Sequence, residues 1–306
     1  MVAPMMPRFM AELERAYTVH RLWEASDRDL LLKKVGPNVK AITTNGASGA
    51  SGALIAALPN LEIIVCYGVG VDAIDLPLAR KRGIPVTTTP DVLTEDVADM
   101  ALALLLATAR QIVRGDQYVR TGQWATGEMA LTRRVNGKRT GIFGLGRVGK
   151  ALAKRLEALN MKISYTNRKR LDVPYAFYTE LVTLATDVDF LIVTAAGGEA
   201  TRKAVNRSVL EALGPNGILI NVSRGSIVDE EGLVQVLKEG KLGGAGLDVF
   251  ATEPNVPEQL RSTPNVVLQP HHASGTIETR SAMGDLLLRN LEAHFAGKPL
   301  LTPFNY

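Results

Sequence analysis

Gly144, Gly146 and Gly149 fall at G-x-G-x-x-G spacing in the run Gly144-Leu145-Gly146-Arg147-Val148-Gly149, which follows the strand-like stretch Lys138-Arg139-Thr140-Gly141-Ile142-Phe143 and precedes a helical pattern over residues 150–159. In that context the spacing points to a phosphate-binding turn. The first glycine permits the tight bend, the second lets main-chain N–H groups approach a pyrophosphate at the helix N-terminus, and the third lets helix and strand pack closely. A glycine-rich turn alone is a weak signal. Here a second strand pattern follows at residues 161–166 and completes a strand–helix–strand unit, which favours a dinucleotide site over an ordinary loop.

The residues after that second strand discriminate between cofactors. An NAD site places Asp or Glu there to accept from the ribose 2′-OH, whereas this chain has Asn167-Arg168-Lys169-Arg170. Three cations and no carboxylate suit a 2′-phosphate, with paired donors from arginine and a point charge from Lys169, so NADP(H) is expected over NAD(H). A charge run is more often a solvated turn. That reading loses ground because the run stands at the one position that tells the cofactors apart.

The elements that must hold these residues alternate between strand and helix patterns along the whole chain, the signature of a parallel α/β architecture. Short buried strands are expected at residues 18–22, 39–43, 61–66 and 85–88, with helices near 26–34, 51–58 and 77–82. A long helix is expected from about Thr94 to about Thr121, with Glu95, Asp96 and Asp99 suiting the positive end of its dipole. Strand patterns at 190–194, 217–222, 244–249 and 265–268 extend a second sheet. An amphipathic helix carrying Leu286, Leu287, Asn290, Leu291 and His294 then precedes a tail, residues 299–306, expected to return to the first domain. The expected fold is α/β, with two doubly wound, Rossmann-like parallel-sheet domains and a cleft between them. Residues 1–95, completed by 280–306, form the substrate-binding domain, and residues 96–279 the dinucleotide-binding domain.

Composition fits that organisation. A chain of 306 residues suggests about two domains, and 46% hydrophobic content supports buried cores. The single cysteine, Cys66, cannot form an intrachain disulfide, which points to a reducing cytoplasm. The apolar run at residues 100–109 is too short for a membrane span, and Glu12, Glu14 and Arg15 break any signal-peptide pattern. Net charge is +4, but the basic residues are dispersed and aromatic content is 5%, so anionic small molecules account for it as well as nucleic acid does. Neither a nucleic-acid partner, a membrane nor a metal is expected.

Three later segments carry a family resemblance. Asn221-Val222-Ser223-Arg224-Gly225, Gly246-Leu247-Asp248-Val249-Phe250-Ala251-Thr252-Glu253-Pro254 and Gln269-Pro270-His271-His272-Ala273-Ser274 resemble the signatures of the D-isomer-specific 2-hydroxyacid dehydrogenases, and the likeness extends over essentially the whole chain. Gly68-Val69-Gly70-Val71-Asp72 resembles the family's substrate-binding loop. Tyr165-Thr166-Asn167-Arg168 and Pro270-His271-His272-Ala273-Ser274 are most similar to NADPH-dependent glyoxylate/hydroxypyruvate reductases and hydroxyphenylpyruvate reductases. The resemblance implies main-chain donors at Val69 and Gly70 for a substrate carboxylate, Val222 and Ser223 beside the nicotinamide, and Asp248 as partner of its carboxamide. It also implies a symmetric homodimer paired through the long helix, with residues 124–135 reaching the partner's cleft.

The chemistry can be argued beside the resemblance. Reduction of a 2-oxo acid needs its carboxylate held, its carbonyl polarised, a hydride delivered to carbon and a proton to oxygen. Arg224, with forked donors, can hold the carboxylate and polarise the keto oxygen. His271 can supply the proton, and Glu253 can orient the ring and stabilise its charged form. Each has a plainer alternative: Arg224 as a turn arginine, Glu253 as a loop carboxylate, Asp248 as a strand-end cap, glycines 68 and 70 as servants of a turn. By residue type His271 and His272 are even, and the family pattern, with the acid directly after the proline, favours His271. The implied activity is NADPH-dependent reduction of glyoxylate or hydroxypyruvate. A bulkier 2-oxo acid is the nearest alternative, and a non-catalytic nucleotide-sensing protein on the same scaffold is the alternative from another class.

Overall fold

The computed structural model describes residues 1–305, and the chain divides into two compact units, Met1–Leu93 with Ser274–Tyr306, and Thr94–Ala273. The division falls where elements begin: Thr94 opens a helix that belongs to the second unit, and the loop leading into the C-terminal helix belongs to the first. The expected boundaries at 95/96 and 279/280 cut through those two elements.

The first unit is built on a three-stranded parallel sheet, β1 (Ala41–Asn45), β2 (Ile63–Tyr67) and β3 (Val86–Thr87), in the order β1-β2-β3. All of β2 is buried, as a central parallel strand covered on both faces must be. Ile42, Ile55, Leu58, Ile64, Ile74 and Val86 form its core. Helix Ile277–Phe295, capped by the Thr276 hydroxyl on the Thr279 N–H at 3.1 Å, meets helix Pro7–Ala16 at Gly284, where a Cβ would lie 2.3 Å from the Phe9 ring. The tail does return here through residues 301–304, and Tyr306 lies outside the described residues. Phe304 N–H donates to the Val86 carbonyl at 2.7 Å, and the fully buried Asn290 accepts from the N–H groups of Leu301 and Thr302 at 3.1 and 3.2 Å.

The expected strand at residues 18–22 is absent. The exposed edge of β1 is taken instead by Val2, whose N–H donates to the Thr43 carbonyl at 2.9 Å, while the Leu22 N–H turns to the Met1 carbonyl. Helix Pro7–Ala16 was not expected, although Pro7 in its first turn and Phe9 and Leu13 on one buried face are a fair local signal.

The second unit holds a seven-stranded, all-parallel sheet: β4 (Arg139–Phe143), β5 (Lys162–Thr166), β6 (Ala176–Tyr178), β7 (Phe190–Val193), β8 (Ile218–Asn221), β9 (Gly244–Leu247) and β10 (Val266–Leu268). Their order is β10-β9-β8-β7-β4-β5-β6. Chain direction across the sheet reverses between β4 and β7, and ligands of open parallel sheets bind at the carboxyl ends of strands at such a switch point. The single long helix expected over residues 94–121 is two helices, Thr94–Ala109 and Ile112–Arg120, broken at Gln111 with φ 49°. The break falls where the chain leaves the core: seven residues of the first helix are buried and none of the second.

Candidate active site

The glycine turn leaves β4 at the switch point. Gly144 has φ 99°, and a Cβ there would lie 2.4 Å from the main chain of Ala195 in the loop after β7, so both conformation and space require glycine. At Gly149 a Cβ would come within 2.6 Å of the Gly144 carbonyl, which is the close helix–strand approach expected of the third glycine. Around Gly146 the corresponding space is empty to 4 Å, and helix Arg147–Ala158 begins there without a side-chain cap. Gly146 and Arg147 are exposed and Val148 half-buried. An uncapped helix start beside an open glycine fits a pyrophosphate, since the orphan N–H groups and the positive dipole end both favour an anion.

Leu145 and Asn167 form a tie behind this turn. The Leu145 side chain is 1% exposed, and its N–H donates to the Asn167 side-chain oxygen at 2.8 Å. Leu145 therefore anchors the turn in the core, and Asn167 joins the turn to the end of β5. Arg168, Lys169 and Arg170 are exposed and form no ion pair among the described residues, so their charges are not spent on neighbouring carboxylates.

The loops after β8, β9 and β10 meet. Asn221, 1% exposed at the end of β8, accepts from the Ser223 N–H at 3.1 Å and donates to the Arg224 carbonyl at 2.9 Å, folding the turn that carries Arg224. Val222 is buried beside it, and the Ser223 hydroxyl donates to the Ala195 carbonyl. Arg224 is half-buried, with one guanidinium nitrogen donating to the Ser223 carbonyl at 2.7 Å. A Cβ on Gly225 would fall 1.9 Å from the Phe250 carbonyl carbon, so the turn after β8 rests directly on the loop after β9.

Glu253 sits in that second loop. Its Oε1 accepts from the Phe250 N–H at 3.1 Å, and its Oε2 lies 2.7 Å from Nδ1 of His271, with the two side chains 26% and 37% exposed. His271 has φ 51°, a conformation that costs a non-glycine residue about 1–3 kcal/mol. Asp248 holds it there. Its carbonyl accepts from the His271 N–H at 2.7 Å, and its two carboxylate oxygens accept from His272 and Ala273 N–H at 2.7 and 2.9 Å. Two charge-assisted bonds at about 1.5–3 kcal/mol each outweigh the strain. Asp248 is thus seated as the cap of the histidine loop. Of the two histidines, His271 is the one whose ring meets Glu253; His272 is exposed and its ring makes no hydrogen bond among the described residues.

Charge follows this geometry. Burial alone pushes the Glu253 carboxyl upward, but the hydrogen bond and charge of His271, the Phe250 N–H and the Arg224 guanidinium together outweigh it and hold the group below its ordinary value. For Asp248 the balance goes the other way: burial raises the carboxyl by more than the His272 and Ala273 N–H groups lower it. A carboxylate on Nδ1 leaves Nε2 as the ring nitrogen able to exchange a proton with a ligand. The arrangement combines a forked cation, an imidazole and a carboxylate hydrogen-bonded to that imidazole, groups chemically able to hold an anion and to exchange a proton.

Two supports had no role in the sequence reading. Asn221 has a local signal, a strand-end asparagine able to bond the main chain two residues on. Glu230 has none: its carboxylate accepts from the Ala251 N–H at 3.0 Å across 21 residues and fixes the loop of Glu253.

In the first unit, the loop holding Val69 and Gly70 leaves the carboxyl end of β2 after Gly68, at φ 151°. Val69 is 43% exposed, and the N–H groups of Val69 and Gly70 have no acceptor among the described residues. Among the described residues there is no cluster of metal-ligating side chains, and no helix is long and apolar enough to cross a membrane.

Comparison with known proteins shows the family of the chain. Residues 102–273 match the NAD binding domain of the D-isomer specific 2-hydroxyacid dehydrogenases. A glyoxylate/hydroxypyruvate reductase A of Arabidopsis thaliana is 49% identical, over 99% of this chain and 97% of that one. A hydroxyphenylpyruvate reductase of Plectranthus scutellarioides is 48% identical, again over 99% and 97%. The crystal structure of an NADPH-dependent glyoxylate/hydroxypyruvate reductase from Sinorhizobium meliloti, in complex with NADP and malonate, superposes with a TM-score of 0.93 at 45% identity, covering 99% of this chain and 94% of that one.

Proposed function

From the premise that the chain belongs to the D-isomer specific 2-hydroxyacid dehydrogenase family, we propose that it reduces small 2-oxo acids, glyoxylate and hydroxypyruvate first among them, to D-2-hydroxy acids with NADPH. The observation that carries the chemistry is the 2.7 Å contact between His271 Nδ1 and Glu253 Oε2, in a loop cluster that also holds Arg224. Arg224 grips the substrate carboxylate and polarises the keto oxygen. His271 gives its Nε2 proton to the carbonyl oxygen as charge develops there, and Glu253 holds the ring in the orientation that permits it. Asp248 retains lone pairs for the nicotinamide carboxamide, and Val222 and Ser223 line the same side. When bound, NADPH supplies the hydride that reduces the carbonyl carbon.

A steady-state panel of glyoxylate, hydroxypyruvate, pyruvate and hydroxyphenylpyruvate, each with NADPH and NADH, tests this reading. Highest kcat/KM with glyoxylate or hydroxypyruvate and NADPH is expected. Preference for hydroxyphenylpyruvate would select the bulkier-substrate reading, which the Plectranthus scutellarioides relative favours. No turnover with any 2-oxo acid would leave the nucleotide-sensing alternative.

The preference for NADPH is assigned to Arg168 and Lys169, uncompensated cations beyond β5. Arg168→Ala is expected to weaken NADPH by roughly 5- to 100-fold, the scale of a lost charge-assisted contact, and to spare NADH. Equal losses for the two cofactors contradict the assignment.

The assembly proposed is a homodimer. Helix Ile112–Arg120 has no buried residue, and Ile112, Val113, Val119, Trp124 and Leu131 are exposed, with Leu131 at 99%. So much apolar surface on one short stretch is what a partner subunit covers. Light scattering at micromolar concentration is expected to give the dimer mass, and a monomer across that range contradicts the proposal.

A further inference from the structure

Tyr165 is a residue that neither the proposed chemistry nor the proposed cofactor contacts use. It lies in β5 between Ile142 of β4 and Phe177 of β6, is fully buried, and its ring packs against that of Phe177 at 5.3 Å. Its hydroxyl is engaged twice by one residue outside the sheet. The Leu171 N–H donates to it at 2.7 Å, and the hydroxyl donates to the Leu171 carbonyl at 3.2 Å. Two residues after Tyr165 the chain is pinned again, by Asn167 accepting from the Leu145 N–H. The segment between the pins is Arg168-Lys169-Arg170, exposed and without ion pairs among the described residues. Three adjacent like charges repel, and a segment carrying them without counter-charges stays in one arrangement only if its ends are fixed.

We propose that Tyr165 is a positioning residue for cofactor discrimination: its hydroxyl closes the Arg168–Arg170 loop through Leu171 and so holds the cations where a ribose 2′-phosphate docks. This rests on the NADPH reading given above. It adds to that reading the source of the loop's order, which lies inside the sheet and out of reach of the cofactor. A guanidinium held in place loses less conformational freedom on binding a phosphate than one on a free loop, so the hydroxyl contributes to NADPH affinity without touching it. NADH, which lacks the 2′-phosphate, gains nothing from the ordering.

Tyr165→Phe keeps the ring, the burial and the Phe177 contact and removes only the hydroxyl, so the fold is expected to survive. Dissociation constants for NADPH and NADH, with hydrogen exchange at the Leu171 amide, are the measurements. In Tyr165→Phe the NADPH constant is expected to rise by about 3- to 10-fold, the scale of one lost neutral hydrogen bond. The NADH constant is expected to stay within about twofold, and the Leu171 amide to exchange faster. Because the effect passes through the loop cations, Tyr165→Phe on top of Arg168→Ala is expected to cost less NADPH affinity than Tyr165→Phe alone. If Arg168→Ala lowers the NADPH preference and Tyr165→Phe does not, the positioning role is overturned and the cofactor reading stands. If neither lowers it, both are overturned. A Tyr165→Phe loss shared equally by NADPH and NADH also overturns the positioning role, as it marks a general structural effect.

Discussion

His271→Ala is expected to lower kcat for 2-oxo acid reduction by about 10²–10⁴-fold, the range contributed by a positioned general acid, while leaving NADPH affinity nearly intact. The sites of the two effects separate them: the ring works at the loop after β10, and the proposed phosphate contacts belong to the turn after β4 and the loop after β5. His272→Ala serves as the control, because among the described residues its ring makes no hydrogen bond or ion pair with Glu253. If His272→Ala abolishes turnover and His271→Ala does not, the proton donor is misplaced. The pH profile carries further information. Glu253 is held below the ordinary carboxylate range, so it is charged over the whole range in which an imidazole titrates and loses its charge only as pH falls through that depressed value. Reduction is therefore expected to hold while Glu253 keeps its charge and to decline as pH falls through that depressed value. Glu253→Gln removes the titrating carboxylate, so the decline at the acid end of the profile is expected to disappear. An unmoved profile in Glu253→Gln argues against the pair acting as a unit.

Arg224→Ala is expected to damage substrate affinity and turnover together, raising KM for the 2-oxo acid and lowering kcat by about 10²–10³-fold, the scale for removal of one donor aimed at developing oxyanion charge. Both parameters move because one guanidinium is assigned two tasks, holding a carboxylate in the ground state and stabilising the carbonyl oxygen as it becomes an alkoxide. Arg224→Lys restores the charge but not the planar fork, so only part of the loss is expected to return. An Arg224→Ala enzyme with normal KM and depressed kcat would confine the residue to the second task.

The parts of the protein legible in its sequence are those set by neighbours along the chain. The strand, glycine turn, helix and second strand around Gly144 are local: Gly144 needs its positive φ, Gly149 its closeness to residue 144, and both appear as glycines at fixed spacing. Residues 190–193 and 218–220 are continuous apolar runs because parallel strands covered on both faces must be. What was not legible depends on distant partners. Residues 18–22 have the composition of a strand, but Val2 occupies the sheet edge they needed. Residues 94–121 carry helical character throughout, and the break at Gln111 reflects the end of the core that the first helix packs on rather than any local stop signal. Strand β6 is three residues long, too short for periodicity to mark it. In the site, residue type left His271 and His272 even. The loop geometry separates them, and that geometry is imposed by Asp248, 23 and 24 residues away and buried.

The loops after β8, β9 and β10 are held by Asn221, Glu230 and Asp248 through their side chains and the main chain of their neighbours. The groups proposed to act on substrate are different residues carried on those loops. This is a division of labour with an evolutionary consequence. If Arg224 and His271 act as proposed, drift at either changes the reaction while the loops keep their anchors, so new chemistry can be sampled by a chain that still folds. Drift at Asn221, Glu230 or Asp248 risks the loops themselves. The scaffold's heritable memory of where a substrate sits is therefore written in residues that never meet it.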